Sequence, residues 1–193
     1  ATRATEDSPQ PFPGEHSDWN SFDRVDFLLG EREAIVVAPA RPAPGRPWIW
    51  RARFFGHEPQ VDVALLRHGF HLAYVDVTNL YGAPEAVAIW DGFYRLLTTQ
   101  FGFAHRVALE GMSRGGLIVY NWGSLHPESV SCIYADAPVC DIRSWPGGLG
   151  LGTGSPEDWA RCLDVYGLSE HSVRDFAGNP IDKLVPLAKA GVP

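Results

Sequence analysis

Gly111-Met112-Ser113-Arg114-Gly115 is the stretch of this 193-residue chain whose residue types and spacing most directly imply chemistry. It matches G-x-S-x-G. An apolar run, HRVALEG (105–111), precedes the serine, and an apolar helical pattern, SRGGLIVYNWGSLHP (113–127), follows it. A turn from strand to helix forces such a serine into strained dihedrals, and small residues two before and two after it admit neighbouring backbone. The hydroxyl then stands clear at the strand end, beside a helix N-terminus that favours developing negative charge. Ser113 is therefore expected to act as a nucleophile on an acyl carbon rather than to sit in an ordinary tight turn. Arg114 follows the serine directly. Its guanidinium either adds positive charge at the site or makes a salt bridge on the first helical turn.

These residues need a scaffold, and the pattern supplies one. Residues 24–40 give two strand-like runs around Gly30, an antiparallel hairpin. Strands are expected in 47–56, 70–77, 105–111 and 129–139, the later ones nearly continuous apolar runs, as in buried parallel strands. Helices are expected over 57–69, ending at Gly69, and over 84–102, with Val87, Trp90, Phe93, Tyr94, Leu97 and Phe101 on one face. The order β-β-β-α-β-α-β-α-β predicts an α/β fold, a mostly parallel sheet with helices on both faces. Residues 1–20 are polar and proline-rich and read as an extended arm before a domain over 21–193. Beyond the last strand, 140–180 reads as a lid-like insertion with a Gly-rich loop. It includes a helix over 155–167 with Ser155 as N-cap and Asp158 at N3. Two further helices are expected over 169–178 and 179–191.

Together these residues resemble the α/β-hydrolase superfamily, from the hairpin at about residue 24 to the end of the chain. In detail they resemble bacterial prolyl-oligopeptidase-like serine esterases. Ser113-Arg114-Gly115-Gly116 is also similar to the serine–arginine motif of glucuronoyl esterases, without the lysine that follows the glycine there. The resemblance implies a Ser, Asp/Glu, His relay in that chain order, a first oxyanion donor in the N–H of Arg114 and a second in the loop after the third strand. In PWIWRARFFG (47–56) that position falls at Arg51 or Ala52.

The relay's base is missing where the resemblance expects it. Only His126 and His171 follow Ser113. His126 ends the serine's own helix, about 20 Å away at 1.5 Å per residue, and His171 reads as a surface residue. His16, His57, His68, His71 and His105 lie upstream. Asp136 is the first candidate acid, with Asp141 beside it. The tail KLVPLAKAGVP resembles the approach to the superfamily's seventh strand. The triad's histidine and acid are therefore expected outside these residues, on a further segment or a second chain.

Trp48, His57, Tyr81 and Trp145 lie near expected strand ends and are candidate substrate-binding residues. Aromatic platforms of this kind suit a carbohydrate-linked ester. No cofactor is expected, and no cysteine or histidine spacing implies a metal site. A net charge of −7 without a Lys/Arg block speaks against nucleic acid, and no apolar run reaches membrane-spanning length. Among Cys132, Cys140 and Cys162, Cys132 is expected to be buried, and pairing of the other two is open. The chain opens ATRATEDSPQPFPG, without Met or an apolar leader, and reads as a mature or trimmed N-terminus compatible with a secreted or periplasmic protein. The expected function is a serine hydrolase of carboxylic esters. The alternatives are a peptidase or thioesterase on the same scaffold, or a binding module that kept the serine turn and lost the relay.

Overall fold

The computed structural model describes residues 11–193. Among them, seven strands form one sheet in the order β1-β2-β3-β5-β4-β6-β7. The strands are β1 (Glu15–Trp19), β2 (Phe22–Leu29), β3 (Arg32–Ala38), β4 (Trp48–Arg51), β5 (His71–Val75), β6 (Val107–Met112) and β7 (Val130–Asp136). From β1 to β5 neighbours pair antiparallel, whereas β5, β4, β6 and β7 run parallel. The hairpin around Gly30 forms as the sequence predicts. The extended-arm reading needs correction over 15–19, which pair with β2 as the sheet's first strand; residues 1–10 lie outside the described residues.

Crossover helices follow the parallel strands: α1 (Gln60–Arg67), α2 (Pro84–Arg95) and α3 (Gly115–Leu125). Side-chain alternation splits the sheet into two faces. Trp48, Trp50, Val107 and Leu109 face α2 and α3, where Trp90, Phe93, Ile118, Val119 and Trp122 close the main core. Ile49, Leu72 and Tyr74 face the other way, against Leu66 of α1. Four of the seven tryptophans are thus buried in one aromatic stack, with Trp50 3.9 Å from Trp90 between ring centroids. Burial of this apolar area, at roughly 25 cal/mol per Å², holds the strand ends in place.

After β7 a third apolar cluster gathers Tyr81, Leu117, Ile142, Cys162, Leu163 and Val173. It includes α4 (Pro156–Tyr166), which opens on Pro156 and ends at Gly167 with φ 65°. The two helices expected over 169–191 do not form. Short 3₁₀ turns at Ser172–Asp175 and Pro180–Asp182 and the brief α5 (Val185–Lys189) replace them. Pro180 and Pro186 each allow a helix start but forbid its continuation from behind, which keeps each element to about a turn. All three cysteines are free, and Cys132, expected to be buried, is only partly so.

Candidate active site

Strand β6 ends at Met112 and α3 begins at Gly115, so Ser113 and Arg114 make the turn between them. Ser113 has φ 52°, the left-handed region that non-glycine residues rarely enter without a local reason. Three backbone bonds hold it there. Ser113 N–H donates to Asp136 O at 2.9 Å, and its own C=O accepts from Val139 N–H at 2.8 Å and from Gly116 N–H at 3.0 Å. A Cβ at Gly115 would lie 3.3 Å from Arg53 Cβ, and one at Gly116 only 2.6 Å from Pro138 Cβ. The glycines after the serine thus let the loop after β4 and the loop after β7 close on the turn.

The two positions expected for the second oxyanion donor are corrected. Ala52 N–H already donates to Glu110 O at 2.9 Å. Arg51 is the last residue of β4, 2 % exposed, with its side chain on the α1 face. The next residue fits the position: Arg53 N lies 3.8 Å from where a Gly115 Cβ would stand. Neither Arg53 N–H nor Arg114 N–H donates to any acceptor among the described residues. The sequence reading stopped one or two residues short of this free N–H, because the strand's end, which frees it, leaves no composition signal.

None of the histidines is bonded to the Ser113 hydroxyl. His126 pairs with Asp91 at 2.9 Å, and His16 with Asp23 at 2.9 Å. His68 and His105 precede β5 and β6, and His71 opens β5, on the sheet edge about 20 Å from the serine, given six strand residues at about 3.3 Å each. His57 and His171 are exposed turn residues. Asp136 is exposed at the end of β7, opposite Met112 in register. Its backbone supports Ser113, while its carboxylate opens onto a cavity on the α1 side of the sheet.

Of the four residues expected to bind substrate, the structure brings two together. Tyr81, in the loop after β5, donates its hydroxyl to Asp158 Oδ1 at 2.7 Å. The Arg114 guanidinium lies 4.2 Å over the Trp145 ring and 3.5 Å from Asp158. Asp158 is the node that sequence reading missed. The expected N-cap bond is absent because Ser155 donates instead to the Asp158 carboxylate at 2.6 Å. Burial pushes Asp158 up, but the bonds from Ser155 and Tyr81 and the charge of Arg114 outweigh it, leaving the carboxyl below its ordinary value. Trp48 is corrected to core: it is 1 % exposed and donates from Nε1 to Ala104 O at 2.8 Å. His57 is corrected to a turn residue whose carbonyl accepts from Arg51, with its ring outside the cavities beside Ser113.

Those cavities differ. One, of about 20 Å³, lies on the α3 side among Ala52, Arg53, Thr78, Tyr81, Arg114 and Gly115. The other, of about 110 Å³, lies on the α1 side among Arg51, Glu58, Glu110, Met112, Tyr134 and Asp136. Beneath the second, Arg51 pairs with Asp62 at 2.5 Å and Glu110 at 3.0 Å, all three buried. Burial first, then Asp62, pushes Glu110 up to about 8.

No family model and no curated protein matches the chain. Solved structures do match. Candida antarctica lipase A aligns over 81% of this chain and 47% of its own, at 18% identity and a TM-score of 0.56. An S-formylglutathione hydrolase from Agrobacterium tumefaciens aligns over 78% and 73%, at 15% identity and a TM-score of 0.50. The fold is that of the α/β-hydrolases. This chain spans about half the length of the lipase. In its α/β-hydrolase sheet the turn at Ser113 stands at the C-terminal edge of the parallel strands, where folds of this type place ligands. Among the described residues no cluster of three His, Cys, Asp or Glu is placed to hold a metal, and no helix is long and apolar enough to cross a membrane.

Proposed function

We propose that this protein is a serine hydrolase of carboxylic esters, with Ser113 forming an acyl-enzyme. The reading rests on one observation: Ser113 is held at φ 52° at the end of β6, next to two backbone N–H groups, of Arg53 and Arg114, that donate to no described acceptor. In this mechanism Ser113 Oγ attacks the ester carbonyl carbon and loses its proton to a histidine. The two N–H groups stabilise the oxyanion, at roughly 3 kcal/mol each. Collapse of the intermediate expels the alcohol, which takes the proton, and water then releases the acid from the serine.

The histidine and its acid come from polypeptide outside these 193 residues, a further segment or a second chain. None of the histidines present is bonded to Ser113, and β7 is the last strand of the sheet among the described residues, with Ile133 N–H donating to Pro193 O at 2.9 Å. The sequence's resemblance to prolyl-oligopeptidase-like esterases supports the same reading. The carbohydrate preference loses much of its basis, since Trp48 is core and Arg114 covers one face of Trp145.

Labelling of the full-length protein by a fluorophosphonate tests the reading. A covalent adduct at Ser113, absent from Ser113→Ala, is the expected result. Full-length protein that binds esters without reacting at Ser113 would instead be a binding module.

A further inference from the structure

Two buried guanidinium donors beside Ser113 have no acceptor. Arg53 Nε and Arg114 Nε are both shielded from solvent and hydrogen-bonded to nothing among the described residues. Both residues line the same small cavity on the α3 side of the serine. Leaving a buried donor unpaired is costly, more so for a charged group, and one such cavity holds two. The neighbouring groups define what is lacking. Arg53 donates from Nη1 to Thr78 Oγ1 and lies 5.0 Å over the Phe54 ring, but forms no salt bridge with a described carboxylate. Arg114 has Asp158 at 3.5 Å and Trp145 beneath it. Asp158 itself already accepts from Tyr81 and Ser155. The other nearby carboxylate, Asp76, is engaged by Thr78 N–H at 2.9 Å and Tyr74 OH at 3.2 Å. The cavity's lining thus holds two cations, Arg53 and Arg114, and no carboxylate, while Asp158 and Asp76 stand outside it with other partners.

We infer that this cavity seats a free carboxylate of the substrate, held between Arg53 and Arg114 while Ser113 attacks the ester bond. This rests on the hydrolase reading for the attack, though not for the anion site itself. The cavity's volume, about 20 Å³, exceeds the 10–15 Å³ that one water needs. Such a space admits a group of about one water's size, such as one oxygen of a carboxylate, rather than the bulkier phosphate. Arginine is suited to the task, since its planar fork matches a carboxylate and its charge does not titrate away. The substrate class is then a half-ester of a dicarboxylic acid, or an ester of a hydroxy acid, according to which side of the ester bond carries the charge.

The test uses full-length protein and matched esters. Mono-4-nitrophenyl glutarate is compared with its neutral terminal amide for a charge on the acyl side. 4-Acetoxybutyrate is compared with 4-acetoxybutyramide for a charge on the alcohol side. In one of the two pairs the carboxylate is expected to be favoured at least about tenfold in kcat/KM, the scale of one charge-assisted hydrogen bond. That ratio should collapse toward one in Arg53→Gln and partly return in Arg53→Lys. Calorimetric binding of glutarate alone reads the site without turnover and should weaken at least about tenfold in Arg53→Gln. No preference in either pair, or a preference and glutarate affinity indifferent to Arg53, overturns the inference while leaving the hydrolase intact. Arg53-dependent glutarate binding without ester turnover or labelling of Ser113 supports the anion site and sinks the hydrolase reading.

Discussion

Ser113 stands between two clefts with opposite imbalances. On the α3 side, Arg53 and Arg114 present donors that nothing accepts from. On the α1 side, Asp62 Oδ1 and Glu110 Oε2 are acceptors that nothing donates to, with Arg51 paired between them. Arg51 and Arg53 are two residues apart in the sequence, and continued strand geometry would aim them at the same face. Strand β4 ends at Arg51, so Arg51 stays pinned under α1 while Arg53 turns toward α3. The same residue type holds the scaffold in one position and faces the chemistry in the other. What separates the roles is where the backbone leaves the sheet.

The largest expected effect lies on the serine between the clefts. Ser113→Ala should lower ester turnover by full-length protein at least about a thousandfold while the folded structure persists. Unchanged turnover, measured with a chromogenic ester, would remove the serine from the chemistry and the comparison with it.

Next in size, Arg51→Met leaves the buried side chains of Asp62 and Glu110 without the cation they share. A loss of about 3–5 kcal/mol in urea unfolding is expected, as for other buried ion pairs broken from one side. Arg53→Met should cost much less, because it strands no buried acid. Equal losses at the two positions would erase the distinction drawn between them.

A smaller effect separates the acid cleft by pH. Glu110 is raised from 4.5 to about 8, so between these values the folded protein holds a proton that the unfolded chain has released. Stability then falls as pH rises across that window. His71 works the other way. Burial, then the charge of Arg46, lowers it from 6.5 to about 4, so its contribution grows as pH rises through that range. The two partly cancel below 6.5, and the Glu110 slope stands alone above it. Melting temperatures of Glu110→Gln from pH 6.5 to 8 should be flatter than those of the parent; a parallel pair of curves would show that Glu110 is ionised in the fold.

The smallest expected effect is at His57. With its ring exposed and away from both cavities, His57→Ala should shift unfolding stability by no more than about 0.5 kcal/mol and leave ester kcat/KM within about twofold. A tenfold fall in kcat/KM would put that turn back in the site.

The turn at Ser113, the hairpin, the crossover helices and the presence of parallel strands were legible in the sequence because each rests on local signals. Alternation, helical period and glycine spacing report the conformation of the residues that carry them. Strand β1 was not legible, since EHSDW is polar and earns its place only by pairing with β2. Trp48 illustrates the other limit. Its type suits a binding platform, yet the pleat puts it beside Trp50 in the core. Asp158 read as a helix cap, and only the folding of α4 against the loop after β5 turns it toward Tyr81 and Arg114.

By itself, then, the sequence determined the α/β alternation and a serine on a tight turn before a helix, because both are properties of neighbouring residues. Tertiary structure decided which arginine is scaffold and which faces the cleft, and that the tryptophans form a core. It also decided that Arg53 rather than Ala52 has a free N–H. Those outcomes depend on where strands end and on what packs across a gap of tens of residues, which local pattern does not encode.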